Sequence, residues 1–259
     1  MKPSIQPPKS NQATRDEDKT QRAFLKSHAL VNDYSRQLRK IGREVGRIIS
    51  AFPPGDPKAL APIKESLSAY AKIVEPWAKA TAEKMVAAVA AQNALAWRKH
   101  TKSMSLAMRA TIAQAPVGIA ARERVAEQVG LITSLPIEAA ERVQHLTFEA
   151  LADGNRSAEI KKEIMRSGEV TESRATLIAR TEVSRTGSAL TQSRAEYIGS
   201  PGYIWRTAHD GDVRESHRQM EGQFVRWDSP PTLDNMTGHA GEFPNCRCYA
   251  EPVVPDKIT

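Results

Sequence analysis

The stretch that decides the fold runs from residue 205 to residue 248, with the sequence WRTAHDGDVRESH at its start (205–217) and GEFPNCRC at its end (241–248). Tyr203, Trp205 and Thr207 occupy every second position, which is the period of a half-buried strand. The HDGD sequence that follows is typical of a tight turn. These patterns predict a strand, a turn and a short helix, followed by a second strand, a loop and a last strand.

The short helix is predicted to place a histidine in the interior. Asp212 is expected to cap this helix at its start and Gly222 to end it. Val213, His217 and Met220 recur at helical spacing, so they should share one apolar face. His217 is therefore expected to point inward.

The two cysteines of the chain lie at its last predicted strand. If residues 245–250 are extended, Cys246 and Cys248 project to the same side, towards the interior that His217 also faces. Their Cα atoms would lie roughly 6.6 Å apart, near the upper limit for a disulfide. Reduced thiols in a cytoplasm are the simpler interpretation.

These side chains predict a metal site, with zinc as the ion that two thiolates favour. The candidate ligands are His217, Cys246, Cys248 and, as the fourth, His239, with Asp210 next. An alternative is that the cysteines are small buried hydrophobic residues and that His217 is a core histidine hydrogen-bonded to Asp210. A redox role of the two thiols is a third interpretation.

The pattern W-x-T-x-x-D-x-x-V-R-x-x-H, followed by G-E-x-x-N-C-R-C, resembles the head-morphogenesis domain of phage minor head proteins, the Mu F-like family. The IARTE sequence at 178–182 and the SLP sequence at 134–136 also resemble that family. One departure is Gly187-Ser188, where such helices often have an asparagine. The motif positions are Trp205, Asp210, Arg214, His217, Gly241, Glu242, Cys246, Arg247 and Cys248.

The resemblance implies a minor head (capsid) protein of a tailed bacteriophage, which acts in head morphogenesis at the portal vertex and in DNA delivery. Its partners would be the portal protein, capsid proteins and double-stranded DNA. It would be located in the virion after assembly in the bacterial host cytoplasm, and it would not be an enzyme. The alternative is a metal-dependent nuclease or a toxin-like effector carried in the virion. Two soft thiolates suit a structural zinc better than a nuclease site, which usually presents carboxylates.

Composition separates the two ends of the 259-residue chain. Seven of its fourteen aromatic residues lie between residues 197 and 249, which predicts an aromatic core near the C-terminus. The N-terminal half has mainly Ala, Leu, Ile and Val for packing, which suits helices. Residues 1–8 lack the apolar segment of a signal peptide. The longest apolar run, residues 85–97, is too short to span a bilayer, so no membrane association is expected.

The net charge of +7 is unevenly distributed. Residues 22–47 include seven basic and two acidic side chains, whereas residues 205–248 include five basic and seven acidic ones. The N-terminal excess predicts contact with DNA or an acidic portal surface. The alternative is a solvated helix face. The candidate contact residues are Arg36, Arg39, Lys40 and Arg43.

The predicted fold class is α+β, with a mostly helical N-terminal part followed by a compact C-terminal domain of helices and a small antiparallel sheet. Residues 1–19 are expected to form a flexible arm, 20–130 a long-helix region and 131–259 the α+β domain. Predicted helices span residues 20–51, 58–113 (with a kink or new start at Pro76) and 119–129. Another is expected to open at Ser134, and the last long one to begin after Thr171.

Overall fold

The computed structural model describes residues 24–25, 27–152 and 157–255; the predicted flexible arm at 1–19 lies outside them. Among the described residues, a short 3-10 turn, Pro57–Ala59, precedes α2. The helices are His28–Ser50 (α1), Leu60–His100 (α2), Leu106–Ala113 (α3), Gly118–Ala152 (α4), Ser157–Met165 (α5), Ser167–Tyr197 (α6) and Glu215–Arg218 (α7). The strands are Gly202–Arg206 (β1), Phe224–Arg226 (β2), Thr232–Leu233 (β3), Met236–Thr237 (β4) and Tyr249–Pro252 (β5).

The strands form two small antiparallel sheets. In the larger, β1 lies between β2 and β5, and Trp205 is paired with Ala250. In the smaller, β3 and β4 are joined by Asp234 and Asn235, which both have positive φ as a two-residue hairpin turn requires. Long helices together with a small antiparallel sheet confirm the α+β prediction.

Helix α1 forms because one of its faces is apolar and its start is capped. The Ser27 hydroxyl accepts a hydrogen bond from the backbone N–H of Leu30. The buried residues recur every three or four positions, apart from the adjacent pair Ile41–Gly42. They are Val31, Tyr34, Leu38, Ile41, Gly42, Val45 and Ile49. This face packs against α6.

Glycines bring α1 and α6 into close contact. A Cβ atom added to Gly168 would lie 2.7 Å from the Cα of Gly46, and one on Gly42 would lie 2.6 Å from the backbone nitrogen of Glu172. The prediction that α6 begins after Thr171 is therefore wrong. It begins at Ser167, because Gly168 is needed inside the helix, where its missing side chain admits the backbone of α1.

Two predicted new helix starts, at Pro76 and at Ser134, are also wrong, whereas a kink at Pro76 stays a prediction. Helix α2 runs through Pro76 and ends at His100, before the predicted end at residue 113. Pro76 and Lys72 are both exposed, so water can bind the Lys72 carbonyl that the proline leaves unpaired. Helix α4 likewise continues through Pro136, and the Ser134 hydroxyl donates to the Leu131 carbonyl beside it rather than opening a new helix.

Two apolar cores organise the molecule. The first joins α1, α2, α4, α5 and α6 and contains mainly aliphatic side chains such as Leu38, Leu67 and Leu135. The second contains the C-terminal aromatic residues, as predicted, but it also includes Trp97 of α2. Helix α4 crosses residue 131, where the C-terminal domain is predicted to begin, and both cores draw on both sides of that position. The division into domains stays a prediction. Within the described residues, no helix is long and apolar enough to cross a membrane.

Candidate functional site

A buried histidine and both cysteines meet beside β1. The Nδ1 atom of His217 lies 3.4 Å from Sγ of Cys246 and 3.6 Å from Sγ of Cys248. All three side chains are buried, with exposed fractions of 2%, 4% and 3%. Of the described His, Cys, Asp and Glu residues, these three form the group whose ligand atoms converge within 4.8 Å. The predicted meeting of His217 with the two cysteines is found in the structure.

Helix α7 places His217 in the interior, although it is shorter than predicted. It begins after Arg214, and Asp212 is not its cap because the Asp212 carboxylate forms an ion pair with Arg247. His217 lies edge-on to Trp205 and Phe243, with ring-centroid distances of 5.6 and 4.8 Å. Gly222 has a φ of 79° and ends the turn that follows the helix.

The cysteines lie in a loop rather than in the predicted strand. Asn245 has a φ of 57°, which turns the chain, and β5 begins only at Tyr249. In this loop, the backbone N–H of Cys248 donates to Sγ of Cys246 at 3.3 Å. Both thiols still face His217, because the loop folds back over β1.

Their surroundings shift the pKa values of the two thiols in opposite directions. A hydrogen bond from the Cys248 thiol, with further hydrogen bonds from His217 and the Cys248 backbone, holds the pKa of Cys246 well below its usual range. The same contact with Cys246, together with burial, raises the pKa of Cys248. The two thiols and the imidazole thus interact directly.

His239 is not part of this group, so the structure contradicts its prediction as the fourth ligand. Its Nδ1 atom lies 3.2 Å from the hydroxyl oxygen of Tyr203, which also accepts a hydrogen bond from the backbone of Ala240. His239 thus belongs to the aromatic core, between Tyr203 and Trp227.

The packing interpretation expected a hydrogen bond between Asp210 and His217, but Asp210 has another partner. Its carboxylate pairs with Arg247 at 2.7 Å. The acidic residue that faces His217 is Asp234, whose Oδ2 lies 3.9 Å from Nε2 of the histidine. Sequence patterns gave no signal for Asp234, because it reaches the histidine from the tip of the β3–β4 hairpin.

The remaining motif residues hold the loop in place. Arg247 bridges Asp210 and Asp212, and Arg214 donates to the Pro244 carbonyl at 2.7 Å. The carboxylate of Glu242 accepts from the backbone N–H of His239 at 2.7 Å. These contacts tie the loop to the turn after β1 and to α7.

Helix α6 supports the same loop from the other side. Arg185 donates to the carbonyl of Glu242, Ser188 donates to the carbonyl of Ala240, and Thr181 accepts from the backbone N–H of Asn245. Gly241 has a φ of 92°, and a Cβ there would lie 2.5 Å from the Ser188 hydroxyl. Ser188, at the place where the sequence departs from the Mu F-like pattern, thus directly contacts the loop of residues 239–248, which we call the motif loop.

A buried polar chain, which the sequence did not indicate, extends from this support to α1. The Tyr34 hydroxyl donates to Gln128, and Gln128 donates to the carboxylate of Glu182 at 2.8 Å. Arg185 also binds Glu182, and Arg124 lies 3.9 Å from it. Glu182 is 3% exposed whereas the Arg185 side chain is 38% exposed, so the predicted ion pair with Arg185 is buried on its acidic side.

The four candidate contact residues of α1 are exposed but partly neutralised. Arg39 and Arg43 both lie beside the Glu172 carboxylate, at 2.8 and 3.6 Å. Arg36 lies 3.7 Å from Asp33, and Lys40 donates to Gln37. The basic face therefore has less free charge than the sequence suggests.

Comparison with known proteins identifies the part of the chain that contains this site. Residues 141–251 match the family described as Phage Mu protein F like protein. These residues form a Mu F-like domain. The domain includes helix α6, all nine motif positions and the His217–Cys246–Cys248 group. The SLP sequence at 134–136 lies before the match.

Two curated relatives share about half of the chain. An uncharacterized protein of Haemophilus influenzae is 36% identical over 129 residues, which is 50% of this chain and 28% of that protein. The NAD(+)--arginine ADP-ribosyltransferase EFV of Enterococcus faecalis is 32% identical over 128 residues, which is 45% of this chain and 26% of that protein. The shared segment is thus a minor part of each relative's length. No solved structure matches the chain.

Proposed function

We propose that the protein is a minor head protein of a tailed bacteriophage, which acts in head morphogenesis at the portal vertex and in DNA delivery. The observation that supports this most directly is the Mu F-like domain at residues 141–251. The architecture is in keeping with such a role. Arg214, Glu242 and Arg247 make contacts that stabilise a loop, which suits a domain built for assembly. Its partners are the portal and capsid proteins, and its location is the virion.

The surface of α4 offers a place for such a partner. Phe148 and Leu151, three residues apart on the helix, are 54% and 57% exposed. Residues three apart are neighbours on a helix surface, so the two side chains form one small apolar patch within the Mu F-like domain. We propose that this patch contacts the portal protein.

The experiment that tests this function uses particles from an infection with a tailed phage that encodes the chain. We expect mass spectrometry of purified mature heads to detect the protein in few copies per particle. Cross-linking should connect it to the portal protein. Deleting its gene should reduce the yield of DNA-filled heads. A Phe148→Ser, Leu151→Ser double variant should weaken the cross-link, whereas Arg122→Ser, at an exposed position of the same helix far from the patch, should not.

The same experiment separates the proposal from the alternative function. An effector carried in the virion would be present in particles, yet heads would assemble and fill normally after deletion of its gene. Absence of the chain from mature heads would contradict both. We propose that the chain itself is not an enzyme. The transferase EFV shares only 26% of its length with this chain. The cluster of two thiols and one imidazole also has no phosphate-binding Gly-rich loop among the described residues beside it.

We also propose that α1 contacts double-stranded DNA or an acidic surface of the portal. Changing Arg36, Arg39, Lys40 and Arg43 to Gln should weaken binding to a DNA duplex. If phosphates are contacted, the slope of log K against log salt should decrease by about 0.9 for each contact removed. A control variant with Lys64, Lys72, Lys79 and Lys99 changed to Gln removes the same charge from α2. Equal slopes for the two variants would rule out a specific role of α1.

A further inference from the structure

We propose that His217, Cys246 and Cys248 bind one Zn²⁺ ion, with Asp234 as the outer residue that orients the histidine. The ligand atoms are Nδ1 of His217 and the two Sγ atoms. The proposal does not depend on the head-protein function, because it follows from the geometry of three buried side chains.

The distances between the ligand atoms agree with tetrahedral zinc. Zinc binds thiolate sulfur at about 2.3 Å and imidazole nitrogen at about 2.0–2.1 Å, so two such ligands lie roughly 3.5–3.6 Å apart. The observed distances from Nδ1 to the two sulfurs are 3.4 and 3.6 Å. The two sulfurs also lie within 4.8 Å of each other, so the three atoms are close enough to share one ion.

The chemistry of the three ligands selects the metal. Two thiolates and an imidazole are soft to borderline ligands that favour zinc over magnesium or calcium, which prefer oxygen. The backbone N–H of Cys248 donates to Sγ of Cys246. A hydrogen bond of this kind stabilises the thiolate form that binds metal. On binding, each thiol releases its proton to solvent as its sulfur ligates the ion.

Asp234 fixes which nitrogen of the imidazole can ligate. Its Oδ2 lies 3.9 Å from Nε2 of His217, a buried atom with no hydrogen-bond partner. A small movement of the hairpin tip would let Nε2–H donate to this carboxylate, which leaves the lone pair on Nδ1 facing the sulfurs. Histidine ligands of zinc commonly donate their second nitrogen to a carboxylate in this way.

The fourth ligand comes from outside this group. His239 is held by Tyr203 and Asp210 by Arg247, so neither reaches the ion. A tetrahedral ion with three protein ligands completes its coordination with a water molecule.

The test uses the full-length protein expressed with added zinc. We expect elemental analysis to find about one zinc per chain after gel filtration. Replacing the metal with Co²⁺ should produce the near-ultraviolet absorption of thiolate-to-cobalt charge transfer and the intense visible bands of tetrahedral coordination. These spectra are measured on the unaltered chain, so they do not depend on the folding of a variant.

Variants assign the ligands. Cys246→Ala with Cys248→Ala should abolish the charge-transfer band. Asp234→Asn should leave the band intact and weaken zinc binding by about 10- to 100-fold, as loss of an outer partner does. The control is Asp228→Asn, which alters an exposed acid that pairs with Arg226, and it should not change the affinity.

Three results would overturn the proposal. One is an unaltered protein that retains no zinc and gives no charge-transfer band with Co²⁺. Another is a Co²⁺ spectrum that survives loss of both cysteines. The third is an intact mass two hydrogens below that of the reduced chain after purification without reductant, together with failure to bind zinc once reduced.

Discussion

Replacing Glu182 with alanine should reduce the free energy of unfolding by about 3–5 kcal/mol, the range for removing one partner of a buried ion pair. Its carboxylate accepts from Gln128 at 2.8 Å and pairs with Arg185 at 3.2 Å. Without it, the Gln128 amide loses its acceptor, and Arg185 and Arg124 lose a buried carboxylate partner. Urea denaturation followed by circular dichroism measures the change.

Loss of the Glu182 carboxylate should also destabilise the motif loop. Arg185 donates both to Glu182 and to the carbonyl of Glu242, so a displaced guanidinium releases the residues before Cys246. Amide hydrogen exchange at residues 240–246 should therefore increase in the variant.

The matched control is Glu127→Gln, which alters the other acidic partner of Arg124. Glu127 has a half-exposed side chain, so its pair is screened by water and should contribute about 0.2–1 kcal/mol. If Glu182→Ala costs no more than this control, the buried chain from Tyr34 to Glu242 does not stabilise the fold.

Replacing Gly168 with alanine should reduce the free energy of unfolding by about 1–3 kcal/mol, the usual cost of overpacking. The new Cβ would lie 2.7 Å from the Cα of Gly46 and 3.1 Å from the carbonyl oxygen of Gly42. Both are backbone atoms, so α1 must move away from α6. Thermal unfolding is the measurement.

Two further glycines supply controls for this prediction. Gly46→Ala places a Cβ 3.3 Å from the nearest atom and should cost less. Gly130 lies on α4 with open space around it, so Gly130→Ala should stabilise the protein by about 0.5–1 kcal/mol through helix propensity. A Gly168→Ala protein as stable as the Gly130→Ala protein would show that α1 and α6 do not depend on close approach.

The sequence by itself determined the parts of the site that rest on local periods. Helical spacing placed His217 in the interior, and the period of two predicted the buried face of β1. The clustering of aromatic residues predicted the C-terminal core. Each of these follows from neighbours along the chain, because side-chain direction in a helix or strand repeats over a few residues.

Helix boundaries were predicted less well, because glycine and proline have two opposite uses. Pro136 is buried within helix α4, and Gly168 lies within α6, where its missing side chain makes room for α1. A single sequence shows the residue but not the partner that decides between ending a helix and packing against one.

Only the tertiary structure decided which distant side chains complete the site. Asp234 faces the histidine because the β3–β4 hairpin folds over α7. His239 instead contacts Tyr203, and Asp210 pairs with Arg247. Tyr34, Gln128 and Glu182 form one buried chain although they are separated by up to 148 positions in the sequence. Such pairings depend on how elements dock, and docking is set by the shapes of whole packed faces rather than by any local pattern.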